Sequence, residues 1–150
     1  MKTIGRRLVV GGSELLLVAM TAVACATAGA GVSGNLLGRG SSPDGVIVRT
    51  AGATDVIVRE ITIAPGASTG WHYHDGPLIA VVKSGTLTRT LHDCSTQVTG
   101  AGGALVEPAG RELVHVGRNL GGEPLVLLVT YVLPAGQPLS RDAPEPACAR

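Results

Sequence analysis

The sequence predicts an all-β domain, and three observations support this prediction. Alternating, β-branched segments recur between residues 46 and 134, as expected for strands. Turns rich in Gly, Pro and Asp separate these segments at short intervals. No amphipathic helical stretch lies between them, which argues against parallel α/β folds. About eight short strands favour a sandwich or barrel, with a jelly roll as the leading architecture.

The predicted strands follow the alternating segments in chain order. They occupy residues 46–50 and 55–63, two strands within 78–91 that meet at Ser84-Gly85, and residues 104–110, 112–117 and 125–134. Within 86–91, Leu87, Arg89 and Leu91 are expected to face one way and the three threonines the other. No Cys…Trp…Cys framework supports an immunoglobulin-like sandwich.

Residues 1–28 are predicted to be a signal peptide or a lipoprotein signal. Lys2, Arg6 and Arg7 form a basic region, and an apolar run follows at 15–24. The run is short for a membrane span, although a retained hydrophobic anchor is the alternative. The arginine pair also leaves a twin-arginine route open. We therefore expect an exported protein that is secreted, periplasmic or associated with the cell envelope.

Three cysteines have different expected roles. Cys25 follows Ala22-Val23-Ala24, which resembles a lipobox and makes Cys25 a candidate lipidation site. Cys94 and Cys148 lie in the expected mature chain, where export would allow them to form a disulfide. Such a bond would fix the C-terminal tail to the domain; two free thiols are the alternative.

The remaining chain divides into three parts. Residues 29–45 are rich in Gly and Ser and are predicted to be a linker, and residues 46–134 form the β-barrel. Residues 135–150 form a Pro-rich tail that is not expected to continue a sheet. The formal net charge of +1 becomes about −1 once residues 1–24, with three basic groups and one acidic group, are removed. No basic patch remains, so nucleic acid is not an expected partner.

Two of the four histidines stand one residue apart, in the segment TGWHYHDGPL. Side chains alternate between the faces of a strand, so His72 and His74 are expected to project together, away from Tyr73. Two imidazoles in this arrangement can converge on one divalent ion, but a site needs at least a third protein ligand. Two ordinary surface histidines are the alternative.

The surrounding residues resemble the cupin family. Its first motif, G(x)5HxH(x)3–4E(x)6G, aligns with Gly66, His72, His74 and Gly85, with Leu78 in the glutamate position. Its second motif, G(x)5PxG(x)2H(x)3N, finds counterparts in this order: Gly102, Pro108, Gly110, His115 and Asn119. Four residues rather than two separate Gly110 from His115. The resemblance covers roughly residues 54 to 134.

This resemblance implies a cupin-type jelly roll, or double-stranded β-helix barrel, that binds one divalent transition metal through His72, His74 and His115. Iron, manganese, zinc, nickel and copper all suit such ligands. With Leu78 in the glutamate position, we expect a site without a carboxylate. That site would be more positive, retain metal less well and favour an anionic or oxygen-donor ligand.

Other polar and aromatic residues are weaker candidates. Glu112 and His92 are considered as additional ligands. Trp71, Tyr73 and Leu78 are candidates to line the pocket, with packing as the alternative for the two aromatic residues. Glu60 and Glu107 are expected to be rim or exterior charges, and Asn119 is expected to be structural.

The resemblance implies a small-molecule ligand and leaves three functions open. The first is a metal-dependent enzyme, with an oxygenase as the commonest analogy in the family. The second is a non-catalytic small-molecule or metal-binding protein of the cell envelope. The third is an oligomeric structural protein, since cupins often pair through their sheets, which makes a homodimer an expected partner. One fold hosts many chemistries, so the reaction is not predicted.

Overall fold

Nine short strands build the fold in the computed structural model, which describes residues 31–149. In chain order they are β1 Thr54–Ile63, β2 His72–Tyr73, β3 Leu78–Ser84, β4 Thr86–Thr90, β5 Thr96–Gly100, β6 Ala104–Glu107, β7 Val116–Arg118, β8 Leu125–Pro134 and β9 Arg141–Asp142. A short 3-10 turn spans Ala147–Ala149. The predicted signal segment and Cys25 lie outside the described residues. Among the residues described, no helix has the length and apolar character needed to cross a membrane.

The strands form two main antiparallel sheets and one short ribbon. The larger sheet has the order β1-β8-β3-β6, the second has the order β5-β4-β7, and β2 pairs with β9. The non-sequential order is typical of a jelly roll, and it places β3 between β8 and β6. The all-β prediction is therefore confirmed.

The core lies between the inner faces of the two main sheets. Strict alternation along β8 buries Leu125, Leu127, Val129, Tyr131 and Leu133. Leu87 from β4 joins the same cluster, so both sheets share one core. Arg89 is also buried, as expected from its position on the Leu87 face of β4.

Several element predictions are wrong. Residues 46–50 form no strand; Ile47 is 74% exposed, because β-branched residues need a partner strand as well as propensity. β5 was not predicted, since its TQVTG sequence lacks an apolar alternation. The tail does contain a strand, β9, because its prolines flank Arg141 and Asp142 rather than interrupt them.

Part of the predicted linker lies against the larger sheet. Ser41 forms a parallel bridge with Gly103, in which its N–H donates to Gly102 and its carbonyl accepts from Ala104. Gly40 is so close to Ala104 that an added Cβ would lie 2.9 Å from the alanine Cβ. The glycine at this position therefore permits close contact of the segment with the edge of β6.

Cys94 and Cys148 form a disulfide, with an S–S distance of 2.06 Å. The bond joins the turn after β4 to the end of the tail. Cys94 has a positive φ of 63°, a backbone conformation that is uncommon for residues other than glycine. The tail is thus covalently fixed to the second sheet.

Candidate metal centre

The first two histidines come from β2 and the residue after it. Alternation directs His72 and His74 to the same side, with their ring centroids 4.9 Å apart. The turn that follows contains Gly76, where an added Cβ would lie 2.3 Å from the carbonyl oxygen of Val132. Only glycine allows the chain to turn this close to β8, so Gly76 helps to fix where β2 ends and β3 begins.

His115 reaches the site as the direct cross-strand neighbour of His72. The two residues exchange both backbone hydrogen bonds, with N···O distances of 2.9 and 3.0 Å. Directly opposed residues project to the same face of an antiparallel pair. Their imidazole centroids are consequently 4.5 Å apart.

A fourth residue, Glu107, completes the cluster. The expectation that Glu107 is a rim or exterior charge is wrong: its side chain is only 12% exposed. Its Oε2 lies 3.2 Å from Nε2 of His74 and 3.0 Å from Nε2 of His115. One ligand atom from each of His72, His74, Glu107 and His115 lies within 4.8 Å of the others. The expectation of a site without a carboxylate is therefore also wrong.

Glu107 occupies the position opposite Leu78 across the β3–β6 ladder. Leu78 is the residue at the glutamate position of the first motif, and it is buried toward the core. Because opposed residues share a face, a carboxylate on β6 reaches the same region as one on β3. The cluster therefore contains a carboxylate, which comes from β6 rather than from the β3 position of the motif.

Each histidine is held by a hydrogen bond at Nδ1. The Nδ1–H groups of His72, His74 and His115 donate to the backbone carbonyls of Gly70, Leu139 and Leu113, at 2.8, 2.6 and 2.9 Å. Such bonds fix the tautomer and orientation of metal-ligating histidines. They leave the three Nε2 atoms without protons in the neutral form.

The resulting arrangement of lone pairs requires a cation. The unprotonated Nε2 atoms of His74 and His115 and the Glu107 carboxylate are all acceptors at contact distance. Nε2 of His115 is buried, and in the neutral ring it has no proton to donate to Oε2 of Glu107, 3.0 Å away. Either a proton or a metal ion must lie between these atoms, so the donor set fits a divalent ion.

Arg89 places a positive charge beside the cluster. Its guanidinium donates from Nη1 to Oε1 of Glu107 at 3.3 Å and from Nη2 to Gln97. Glu107 is thus held between a guanidinium on one oxygen and two imidazoles on the other.

Electrostatics favour an ionised Glu107. Burial alone would raise its pKa, but hydrogen bonds from His115 and His74, and the nearby Arg89 charge, hold the pKa well below its usual range. Burial tends to lower the pKa of His115, yet its bond to Glu107 raises the pKa overall. Burial lowers the pKa of His72, with His115 and His74 adding to the effect.

These shifts predict how the metal-free protein responds to pH. The low pKa of Glu107 gives stability that is present above its ordinary value of 4.5 and is lost as the pH falls through the folded-state pKa. The raised pKa of His115 gives stability that is present below 6.5 and is lost as the pH rises through the folded-state pKa. We expect the pair to stabilise most between these two values, while His72 acts in the opposite direction.

Urea unfolding of metal-free protein from pH 3 to 8 measures this effect. Glu107→Gln removes the pair but keeps His72, so the difference between the two proteins isolates the contribution of the pair. A difference that does not change across this range would contradict the prediction.

A small apolar cavity of about 50 Å³ adjoins the cluster. Its wall includes Leu78, Ala80, Leu87, Gly117 and Tyr131, together with His72, His74 and Glu107. Burial raises the pKa of Tyr131, so its hydroxyl stays protonated at neutral pH. A separate polar cavity of about 460 Å³ is lined by Arg89, β5, β6 and residues 41–45, and none of the histidines borders it.

Of the three residues predicted to line the pocket, one does so and two do not. Leu78 lines the cavity as expected, but Trp71 and Tyr73 do not, because the alternation that turns the histidines inward turns both of these residues away. The guanidinium of Arg118 instead lies over the ring of Trp71, with Cζ of Arg118 5.6 Å from the centroid of that ring.

The two weaker ligand candidates are outside the four-residue cluster. Glu112 is exposed and folds back near Gly110, and His92 is exposed in the turn beside the disulfide. Asn119 is structural as expected: it is buried and donates to the carbonyls of Ile63 and Glu123.

A signal for Glu107 was present in the sequence. In ALVE, Leu105 and Glu107 are two residues apart, so burial of the leucine predicts that the glutamate points inward as well. The family motif directed attention to position 78 instead.

The chain is thus a small jelly-roll barrel in which three histidines and one carboxylate form a group that could hold a metal ion. The family model for the cupin domain (Cupin_2) matches residues 59–131, which contain all four candidate ligands. Residues 59–131 of the chain are therefore a cupin domain. Comparison with curated proteins gave no sequence match.

Solved structures show the same fold. The polyketide cyclase RemF from Streptomyces resistomycificus is 23% identical with a TM-score of 0.52, over 64% of this chain and 65% of the cyclase. A conserved protein with a double-stranded β-helix domain from Klebsiella pneumoniae is 23% identical with a TM-score of 0.50, over 65% and 91%. DMSP lyase DddQ from Ruegeria pomeroyi is 16% identical with a TM-score of 0.51, over 59% and 43%.

Proposed function

We propose that this cupin binds one divalent transition metal through His72, His74, Glu107 and His115. The observation that carries the proposal is the convergence of ligand atoms from three imidazoles and one carboxylate within 4.8 Å of one another, a donor set that suits a divalent ion. Glu107 replaces the carboxylate that the first motif lacks and lowers the charge of the loaded site from +2 to +1.

The donor set restricts the identity of the metal. Three imidazoles suit iron, zinc, nickel or copper, and an added carboxylate also suits manganese. A bound ion of this kind would act as a Lewis acid toward an oxygen donor of a small ligand. The chain's own residues would orient that ligand and exclude water from it.

The cavity wall supports a small, largely apolar ligand. Leu78, Ala80 and Leu87 offer only apolar surface, and Tyr131, whose hydroxyl interacts with Arg59, also borders the cavity. We propose metal-dependent, oxygenase-like chemistry on such a molecule. The similar structures include a cyclase and a lyase, which supports a small-molecule enzyme without naming the reaction.

A non-catalytic binding protein is the second candidate. The cavity volume of about 50 Å³ favours it, because this space accommodates little more than a few water molecules. Turnover of a small molecule by the metal-loaded protein would decide in favour of the enzyme.

The metal site is tested by elemental analysis of natively produced protein. We expect about one equivalent of a transition metal, and we expect His115→Ala to lose it because the variant removes one of the four ligands. His92→Ala is the matched control, since His92 lies outside the cluster, and it should keep the metal. A full metal complement in His115→Ala would contradict the proposed site.

Export and self-association complete the proposal. The basic and apolar N-terminal pattern supports a signal segment, and the Cys94–Cys148 disulfide fits an oxidising compartment. The intact mass of native protein would report cleavage and any lipid on Cys25.

For the homodimer, β1 at the sheet edge exposes 65% of Val56 and 63% of Val58. Sedimentation that shows only monomer would remove that proposal.

A further inference from the structure

The C-terminal tail packs directly on the strand that carries the first histidines. We call residues 139–148 the strap. Within it, β9 pairs with β2 so that Asp142 lies opposite His72 and Arg141 opposite Tyr73. The N–H of Ala143 also donates to the carbonyl of Trp71 at 2.9 Å. The backbone around His72 is thus held from one side by the strap.

The strap also supplies the hydrogen-bond acceptor for His74. Nδ1 of His74 donates to the carbonyl of Leu139 at 2.6 Å, across 65 residues of sequence. The corresponding acceptors for His72 and His115 are only two residues away from their histidines, at Gly70 and Leu113. Among the three histidines, His74 is the one whose orientation depends on the strap.

The disulfide is the strap's covalent attachment. Between Leu139 and Cys148, the contacts of the strap include the two-residue strand β9, the Ala143–Trp71 hydrogen bond and the exposed Arg141–Asp75 pair, and Glu145 also has a partner. A two-residue strand and an exposed ion pair are each weak by themselves. Cys148 fixes its far end to Cys94 in the second sheet, and Cys148 is exposed to solvent. Breaking this bond would free one end of the strap and let the contacts to β2 and His74 open.

We propose that the redox state of Cys94 and Cys148 sets the affinity of the metal centre, so that the disulfide-bonded chain holds metal tightly and the dithiol chain holds it weakly. This inference rests on the proposed metal site. The strap acts on the centre by positioning His74 through Leu139 and β2 through β9. Loss of such supporting contacts typically costs about 10–100-fold in metal affinity.

The redox step balances as a thiol–disulfide exchange. Two thiols, Cys94 and Cys148, form the S–S bond and release two electrons and two protons. A disulfide donor, either a protein disulfide or oxidised glutathione, accepts them and becomes two thiols. In an exported chain, tight metal binding would therefore follow the oxidation of Cys94 and Cys148.

The test compares the oxidised wild-type protein with Cys94→Ser/Cys148→Ser. Serine avoids free thiolates, which would themselves bind metal. Zn²⁺ affinity is measured by competition with a chromophoric chelator, well below the unfolding temperature of each protein. We expect the variant to bind at least tenfold more weakly.

A second pair of variants tests the strap while the disulfide is intact. Ala143→Pro removes the N–H that bonds to Trp71, and Ala143→Ser keeps it. We expect weaker Zn²⁺ binding by Ala143→Pro than by Ala143→Ser. If the serine double variant does not fold, this comparison decides the question.

Proton NMR of the metal-free proteins gives a readout that general destabilisation would not reproduce. In the double variant, the Nδ1–H signal of His74 should broaden or exchange faster, while that of His115, bonded to Leu113, should remain. An equal loss of both signals would contradict the strap's specific role.

The outcomes separate the two proposals. If oxidised wild-type protein does not bind Zn²⁺, the proposed metal site fails and the inference fails with it. If the wild-type protein binds while the folded double variant and Ala143→Pro bind equally well, the metal site stands and the redox inference is overturned.

Discussion

Replacing Glu107 by glutamine is expected to weaken divalent-metal binding by about 100-fold or more. The substitution preserves shape but removes the only carboxylate within reach of the three imidazoles among the described residues. A lost ligand should cost more than the roughly 10–100-fold typical of a lost supporting contact. Isothermal titration of metal into the wild-type protein and Glu107→Gln measures the difference.

The cross-strand exchange Leu78→Glu/Glu107→Leu is the sharper form of this experiment. Because the two residues are directly opposed on β3 and β6, the exchange returns the carboxylate to the family's usual position. We expect the double variant to recover most of the affinity that Glu107→Leu alone loses. Recovery would show that the carboxylate is a ligand, since a merely structural role for Glu107 would not transfer to position 78.

Two results would count against this assignment. Wild-type affinity in Glu107→Gln would mean that the histidines alone hold the ion. Failure of the folded double variant to recover any affinity would mean that the β3 position no longer reaches the site in this chain.

Replacing Arg89 by methionine is expected to destabilise the metal-free protein by about 3–5 kcal/mol. Arg89 is 6% exposed and donates to Glu107, so its removal leaves a buried carboxylate without its guanidinium. A domain of this size is stable by only about 5–15 kcal/mol, so the effect is a large fraction of the total. Urea unfolding measures it.

A bound divalent ion should reduce this loss, because the ion supplies positive charge to Glu107 in place of the guanidinium. Arg141→Met is the matched control: the side chain of Arg141 is 42% exposed in its pair with Asp75, so its loss should destabilise the protein far less than the loss of Arg89. Equal destabilisation by Arg89→Met and Arg141→Met would show that the buried Arg89–Glu107 pair contributes no more to stability than an exposed ion pair does.

Much of the fold followed from local patterns. The alternation in β1, β3, β4 and β8 was readable because one face of each strand packs in a shared core. β5 and β9 were not, because each is short and polar and exists through its pairing with a partner strand. At residues 46–50 the opposite happened: their β-branched composition predicted a strand, but no neighbouring strand pairs with them and none forms.

The three histidines were predictable for a different reason. Their spacing falls within recognisable motifs, so His72, His74 and His115 could be identified without knowledge of the sheet. The inward direction of Glu107 was readable from its spacing to Leu105, but its place opposite Leu78 needed the register of β3 and β6, which linear spacing does not contain. The dependence of His74 on Leu139 needed the path of the whole tail, 65 residues further along.

The opposition of Leu78 and Glu107 has a consequence for how such sites evolve. An ancestral chain with acidic residues at both positions could lose either one and still have a carboxylate at the site. No intermediate without a carboxylate ligand is then required. The strand that supplies the carboxylate can then change from one to its neighbour while the set of metal-binding groups stays the same. A cupin whose motif lacks its glutamate therefore merits inspection of the facing residue before it is classed as unable to bind metal.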